Sequence, residues 1–404
     1  MSDFQFDAYS PKEMAERVEK AGVTKGNLDF LSTLALSFLA GIFIAFGALL
    51  YTLVIHDSTT SHGFTRLLGG IAFSVGLILV IVAGAELFTG NNLIIMAYMN
   101  KKITFSKLAR NWAIVFVGNF AGSLAIVYLV HLSGHWGMHS YMVGGQALLI
   151  ALGKIQIPFL QAIARGILCN MLVCLAVWLC FSCRNVADKV LAIIFPIAAF
   201  VALGFEHCVA NMFFVPAGLV LKNITEATAA ASTAMGKSVS VADLTWGAFF
   251  IRNLLPVTIG NVIGGAAIIA LVYWFLYLRT GAIARARKLI SKVPSRVQPD
   301  ESVSNAVRIM KERNQSCVLV GTDEEAIGIV SEADIASKVL AANLDPDSLS
   351  VQEIMTTPVI SVEVNTPIYR IYKTMVDNGV KHLIVTEKNL QIGYISLNDI
   401  LRKQ

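Results

Sequence analysis

Residues 67–100 and 190–221 each pass more than thirty positions without a single Lys or Arg. A straight helix crosses a bilayer in about twenty residues, so each run is too long for one span and too short for two spans with a turn. The remaining solution is a helix interrupted inside the membrane, allowed only where the loosened backbone is buried in protein or lines a cavity. The interruptions fall at GAELFTGNN, residues 84–92, and GFEHCVANM, residues 204–212.

The rest of the chain divides by solvent. Hydrophobic residues make up 55% of the sequence and charged ones 15%, far from the balance of a water-soluble domain. The apolar runs are confined to residues 30–278, and residues 279–404 carry charges every few positions. We expect four segments: an amphipathic N-terminal helix (1–29) started by SPKE at Ser10–Glu13, a membrane region (30–278), a basic linker (279–291) and a soluble module (292–404). Apolar segments near 30–55, 67–99, 111–133, 157–181, 190–221 and 246–278 give six spans. The N-terminus, 101–110, 184–189 and 279–292 hold fifteen Lys and Arg, against four in 56–66, 134–156 and 222–245. By the positive-inside rule both termini are therefore cytoplasmic. These flanks account for the net charge of +5, and no basic groove with interleaved aromatics argues for nucleic acid.

The interruptions are related. At an offset of 120, Gly84, Glu86 and Asn91 align with Gly204, Glu206 and Asn211, and at an offset of 142 RNWAIVFVGNFAG (110–122) matches RNLLPVTIGNVIG (252–264). A three-span unit used twice must be inserted in opposite senses. That is the inverted-repeat plan of transporters and channels, with the site where broken helices meet. The expected fold is thus all-α in the membrane, with broken second and fifth helices, plus a soluble α/β module.

Ionisable groups inside spans cost about 2.5–3.5 kcal/mol on insertion scales and mark function by default. For Glu86 and Glu206 the structural reading is favoured: each sits where freed N–H groups of a broken helix need an acceptor, and would hold the break open rather than touch the solute. His207 aligns with Leu87, so the repeat itself does not require an imidazole there, and the pathway reading is favoured over a buried, satisfied ring.

With FSVGLIL (73–79), AELFTGN (85–91), RGILCNMLVCLAVW (165–178), FEHCVANMF (205–213) and LPVTIGNVIGG (255–265) in view, residues 10–279 resemble the formate/nitrite transporter family. The resemblance implies an aquaporin-like fold and a homopentamer with one pore per protomer for small monovalent anions or their conjugate acids; the paired Asn-Pro-Ala motifs of aquaporins themselves are absent. It implies an outer constriction of Phe73, Leu77 and Phe200, an inner one of Leu87, Phe88 and Val173, and His207 between them near Thr89 and Asn261. Lys154 matches the family's lysine beside the pore. A bare anion is costly to move past apolar rings. The expected route therefore has Lys154 attracting the anion and His207 donating or relaying a proton, with no covalent chemistry and no enzyme activity. FEHCVANMF resembles the formate branch, whereas AELFTGNN departs from it after Phe-Thr. Formate ranks first and nitrite second, with hydrosulfide, acetate and lactate open. A neutral-solute pore and a membrane-anchored sensor that transports nothing are the competing readings.

The soluble module repeats at an offset of 65, pairing GIVSEADI (328–335) with GYISLNDI (393–400). It resembles a tandem CBS-domain pair. The resemblance implies adenine nucleotide (AMP, ADP or ATP) as a regulatory ligand, with Asp334 and Asp399 on ribose and Ser331 and Ser396 on phosphate. A Ser followed three residues later by Asp also suits a helix cap, and many such pairs only mediate assembly. Cys180 and Cys183 form a C-x-x-C with no second ligand pair nearby, so no metal or required cofactor is expected.

Overall fold

The computed structural model describes residues 8–279, 286, 289–291, 293–322, 326–387 and 390–401. Contacts divide the chain into two compact units, Met1–Leu278 and Arg279–Gln404. The expected basic continuation of the last span lies mostly outside the described residues.

In the first unit, α1 (Pro11–Asn27) opens with a capping box between Ser10 and Glu13 and Pro11 in its first turn. Its buried stripe of Met14, Ala15 and Val18 packs into a cluster with Trp178 and Ile269. Five helices are long and apolar enough to cross a membrane: α2 (Phe30–Ile55), α3 (His62–Ala83), α5 (Phe105–Leu132), α7 (Phe159–Ser182) and α11 (Trp246–Leu278). Large side chains such as Leu31, Leu160 and Ile251 stay exposed on them. Such a surface would be a liability in water and suits lipid.

Both long runs are interrupted. α3 stops at Gly84, whose φ of +82° closes the helix in the left-handed region, and helix resumes in a tight turn at Gly90–Ile94 and in α4 (Ile95–Met99). α8 (Val186–Ala202) is followed by Gly204 at φ +73°, and α9 (Cys208–Leu221) begins four residues later. Only glycine adopts that region without steric cost.

The stretch expected to be a connection at 134–156 instead contains α6 (Met142–Ile155), an apolar helix too short to register as a span. Its Gly145 lets α10 (Thr225–Met235) approach so closely that a Cβ there would lie 2.7 Å from Ala231 N. α9 and α10 together are apolar enough to cross but bend by 111°.

The second unit contains two three-stranded sheets. β1 (Arg296–Val297) runs parallel to β2 (Cys317–Gly321), which pairs antiparallel with β3 (Ala326–Ser331); β4 (Ser361–Glu363), β5 (His382–Glu387) and β6 (Leu390–Ser396) repeat the pattern. The register repeats at the offset of 65, with Cys317 opposite Ser331 and His382 opposite Ser396. Strand alternation sends Val318, Val320 and Val330 into one core with α12 (Val303–Arg313). Cys317, Leu319 and Ile329 point the other way, to meet Ile384 and Tyr394 of the second copy.

Candidate functional site

Each break in the membrane unit is held by a lysine paired with a buried carboxylate and a buried asparagine. At the first, Lys25 Nζ of α1 lies 2.8 Å from Glu86 Oε1, and Asn91 Nδ2 donates to Glu86 Oε2 (2.6 Å) and to Asn111 Oδ1 (3.0 Å). At the second, Lys154 Nζ, in the last turn of α6, lies 2.9 Å from Glu206 Oε1. Asn211 Nδ2 there donates to Glu206 Oε2 and to Asn253 Oδ1, both at 2.8 Å.

Asparagine takes the freed backbone. Asn119 Oδ1 accepts from Phe88 N (2.9 Å) while its Nδ2 donates to the carbonyls of Glu86 and Ser37. Asn261 Oδ1 accepts from Cys208 N (2.9 Å) while its Nδ2 donates to the carbonyls of Glu206 and Gly166. This corrects the expectation that Glu86 and Glu206 receive the freed N–H groups. A buried carboxylate without a cation is far costlier than a neutral amide without one, so the carboxylates take the lysines. A side-chain amide both accepts and donates, so one asparagine serves a broken strand of backbone on both sides. Asn261, expected near His207 in the pore, is one of these braces.

His207 precedes α9 and caps it: Nδ1 accepts from Ala210 N at 3.0 Å. A backbone N–H only donates, so Nδ1 holds a lone pair and Nε2 carries the ring proton. That proton points to Thr89 Oγ1, 2.9 Å away. The ring is 3% exposed and stacks on Phe200 at 6.0 Å, which in turn meets Phe73 edge-on at 5.7 Å.

Two cavities flank this centre. One, of about 280 Å³, is lined by Phe73, Phe200 and His207 and by Arg66, Lys154, Arg165 and Glu206. The other, of about 330 Å³, is lined by Leu77 and Leu87 and by Arg17, Lys25, Lys189 and Glu86. Leu77 thus lines the second cavity together with Leu87, one helical turn along α3 from Phe73 at the first. Phe88 and Val173 line neither; both are buried, and Phe88 packs edge-on to Trp112 and Phe116. Each cavity sets three cationic side chains against one carboxylate, a balance that concentrates anions.

Sequence reasoning missed Lys25, Arg66, Arg165, Asn111, Asn119 and Asn253. The motif pair at offset 142 already contained Asn111, Asn119 and Asn253. Lys25 comes from outside the repeat and left no signal there.

In the soluble unit both Ser–Asp pairs form helix caps. Ser331 N and Oγ donate to Asp334 Oδ2 (3.0 and 2.6 Å), and Ser396 N and Oγ donate to Asp399 Oδ2 (2.8 and 2.6 Å). Asp334 Oδ1 also takes Thr356 Oγ1 and Lys338 Nζ, each at 2.8 Å. Burial alone would push Asp334 up; the bonds from Lys338, Ser331 and Thr356 outweigh it and hold the carboxyl below its ordinary value.

A sequence model of the formate/nitrite transporter family matches residues 12–275, and a CBS-domain model matches 286–341 and 351–404. The chain belongs to the formate/nitrite transporter family. Formate/nitrite transporters are membrane channels and transporters, not enzymes, and this one carries a tandem CBS module. It is 42% identical over 280 residues to the formate channel FocA of Escherichia coli K12, covering 69% of this chain and 98% of that one. It is 36% identical over 287 residues to a probable formate transporter of Methanothermobacter thermautotrophicus, covering 67% and 97%. A solved pentameric formate channel with formate bound is similar at a TM-score of 0.57 and 41% identity, over 62% of this chain and 98% of that chain. A second solved structure, an FNT family ion channel, is similar at 0.55 and 26% identity, over 65% and 98%.

Proposed function

We propose that the chain assembles as a homopentamer of six-span, inverted-repeat protomers with both termini cytoplasmic, and that each protomer conducts a small monovalent anion, formate before nitrite. The observation that carries this reading is the His207–Thr89 bond between the two breaks, with a cationic cavity on either side.

The anion gathers in the cavity of Arg66, Lys154 and Arg165. Lys154 is paired with Glu206, so it contributes to the field of the cavity wall rather than acting as an unpaired cation. As the anion leaves water at the Phe73–Phe200 contact, desolvation raises its pKa, and a hydronium proton entering from the external solution converts it to the neutral acid. The acid crosses the dry centre by replacing Thr89 as acceptor of the His207 Nε2–H bond. Protonating Nδ1 would break the cap on α9, so His207 serves as a hydrogen-bond donor with a neutral ring, in place of the proton donor or relay expected from the sequence. Transport coupled to protons follows, steepest at low external pH. Formate flux into proteoliposomes, across a pH series and against nitrite and hydrosulfide, tests the reading.

For the CBS module, adenine nucleotide remains the regulatory ligand of choice, and Asp399 is its better anchor. Its Ser396 cap engages one carboxylate oxygen, whereas both oxygens of Asp334 already accept protein donors. Calorimetry with AMP, ADP and ATP, comparing Asp399→Ala with Asp334→Ala, tests the module separately from the pore.

A further inference from the structure

His56 and His139 are 83 residues apart in sequence, yet His56 Nε2 lies 2.9 Å from His139 Nδ1. Asp57 completes the group: its carboxylate oxygens lie 3.4 Å from His56 Nδ1 and 3.7 Å from His139 Nδ1. One ligand atom from each residue fits within 4.8 Å of the others, and no other such trio of His, Cys, Asp or Glu occurs among the described residues. We propose that His56, Asp57 and His139 bind a divalent first-row transition ion of the Zn²⁺ type.

Two features prepare the site. His56 Nδ1 donates to Leu53 O at 2.6 Å, since a carbonyl can only accept. That leaves the Nε2 lone pair facing His139 Nδ1, the outer-shell arrangement that orients metal-binding histidines. His139 is presented by a strained turn: His139, Ser140 and Tyr141 have φ of +51°, +51° and +66° in succession. Non-glycine residues rarely adopt that region, and such strain persists only where tertiary contacts hold it, often at ligand sites.

Without an ion, His139 Nδ1–H donates to His56 Nε2. On loading, His139 moves its proton to Nε2, which its 59% exposed side chain presents to water, and both rings coordinate as neutral imidazoles. Two imidazoles and a carboxylate leave a position for water, and this donor set favours Zn²⁺, Cu²⁺ or Ni²⁺ over Mg²⁺ or Ca²⁺. The ion would pin the end of α2 to the turn that leads into α6. Tyr51, just over one helical turn before His56, and Lys154, in the last turn of α6, both line the same cavity.

The test uses the full-length chain purified without a polyhistidine tag. Zn²⁺ is titrated by calorimetry and Co²⁺ by visible absorption. His139→Asn is the decisive variant, because asparagine tolerates positive φ and so keeps the turn. The expected result is one ion per chain, with affinity reduced more than about tenfold by His139→Asn and by Asp57→Asn, unchanged by His131→Ala in the last turn of α5, and no displacement by equimolar Ca²⁺. Absence of Zn²⁺ binding, binding indifferent to His139→Asn, or displacement by Ca²⁺ would each overturn the proposal.

Discussion

Lys154 Nζ stands 2.9 Å from Glu206 Oε1, with the two side chains only 14% and 5% exposed. Removing one partner of such a pair strands a buried charge, at a cost of about 3–5 kcal/mol. Glu206→Gln and Lys154→Met should each lower the denaturation midpoint of the detergent-solubilised protein. The double variant should lose less than the sum of the two; strict additivity would contradict the pairing.

The asparagine braces predict a local effect. Asn119→Ala should speed amide exchange at Phe88, and Asn261→Ala at Cys208, since each removes the acceptor of that amide. Each unsatisfied buried group costs about 1–3 kcal/mol. Protection lost at both breaks from a single variant would show instead that the two are one cooperative unit.

Gly260 tests the packing that brings Asn261 to the break. A Cβ there would sit 2.2 Å from Ile163 O and 3.0 Å from Gly166 Cα, both backbone atoms. Gly260→Ala should therefore force α7 and α11 apart and reduce the yield of folded protein. A variant with unchanged melting would mean that the contact is looser than described.

The soluble unit carries a pH signature at His382. Burial lowers its pKa; Glu332, Asp334 and Asp399 pull it up, and Lys381 lowers it further, leaving a net decrease. The unfolded chain takes up this proton near pH 6.5 and the folded unit only below that, so stability falls as pH drops from about 6.5 toward the folded value. Melting of the soluble unit within the whole chain should show this slope between pH 7 and 5. His382→Gln should flatten it, and an unchanged slope would assign it elsewhere.

Much of this arrangement was legible because hydrocarbon is a strict solvent. A run without Lys or Arg longer than a span forces a break, and Gly84 and Gly204, placed there by motif, have the left-handed φ that ends a helix. The offset of 65 likewise carries the strand register of both sheets. α6 was not legible: fourteen residues of apolar helix look like a connection until Gly145 finds α10. Lys25 and Arg66 were not legible either. Lys25 pairs with Glu86 across 61 positions, and Arg66 bonds Val201 O across 135. Spacing within a motif carries no trace of partners so remote.

The most direct measurement is formate flux into proteoliposomes carrying His207→Asn. Asparagine caps helices as well as any residue, so α9 keeps its start while the Nε2–H donor toward Thr89 is removed. Assembly and melting should stay near wild type, and flux should fall by at least about tenfold, the worth of about 1.4 kcal/mol in a barrier. Wild-type flux and pH dependence in a correctly assembled His207→Asn protein would contradict a conduction path through this ring.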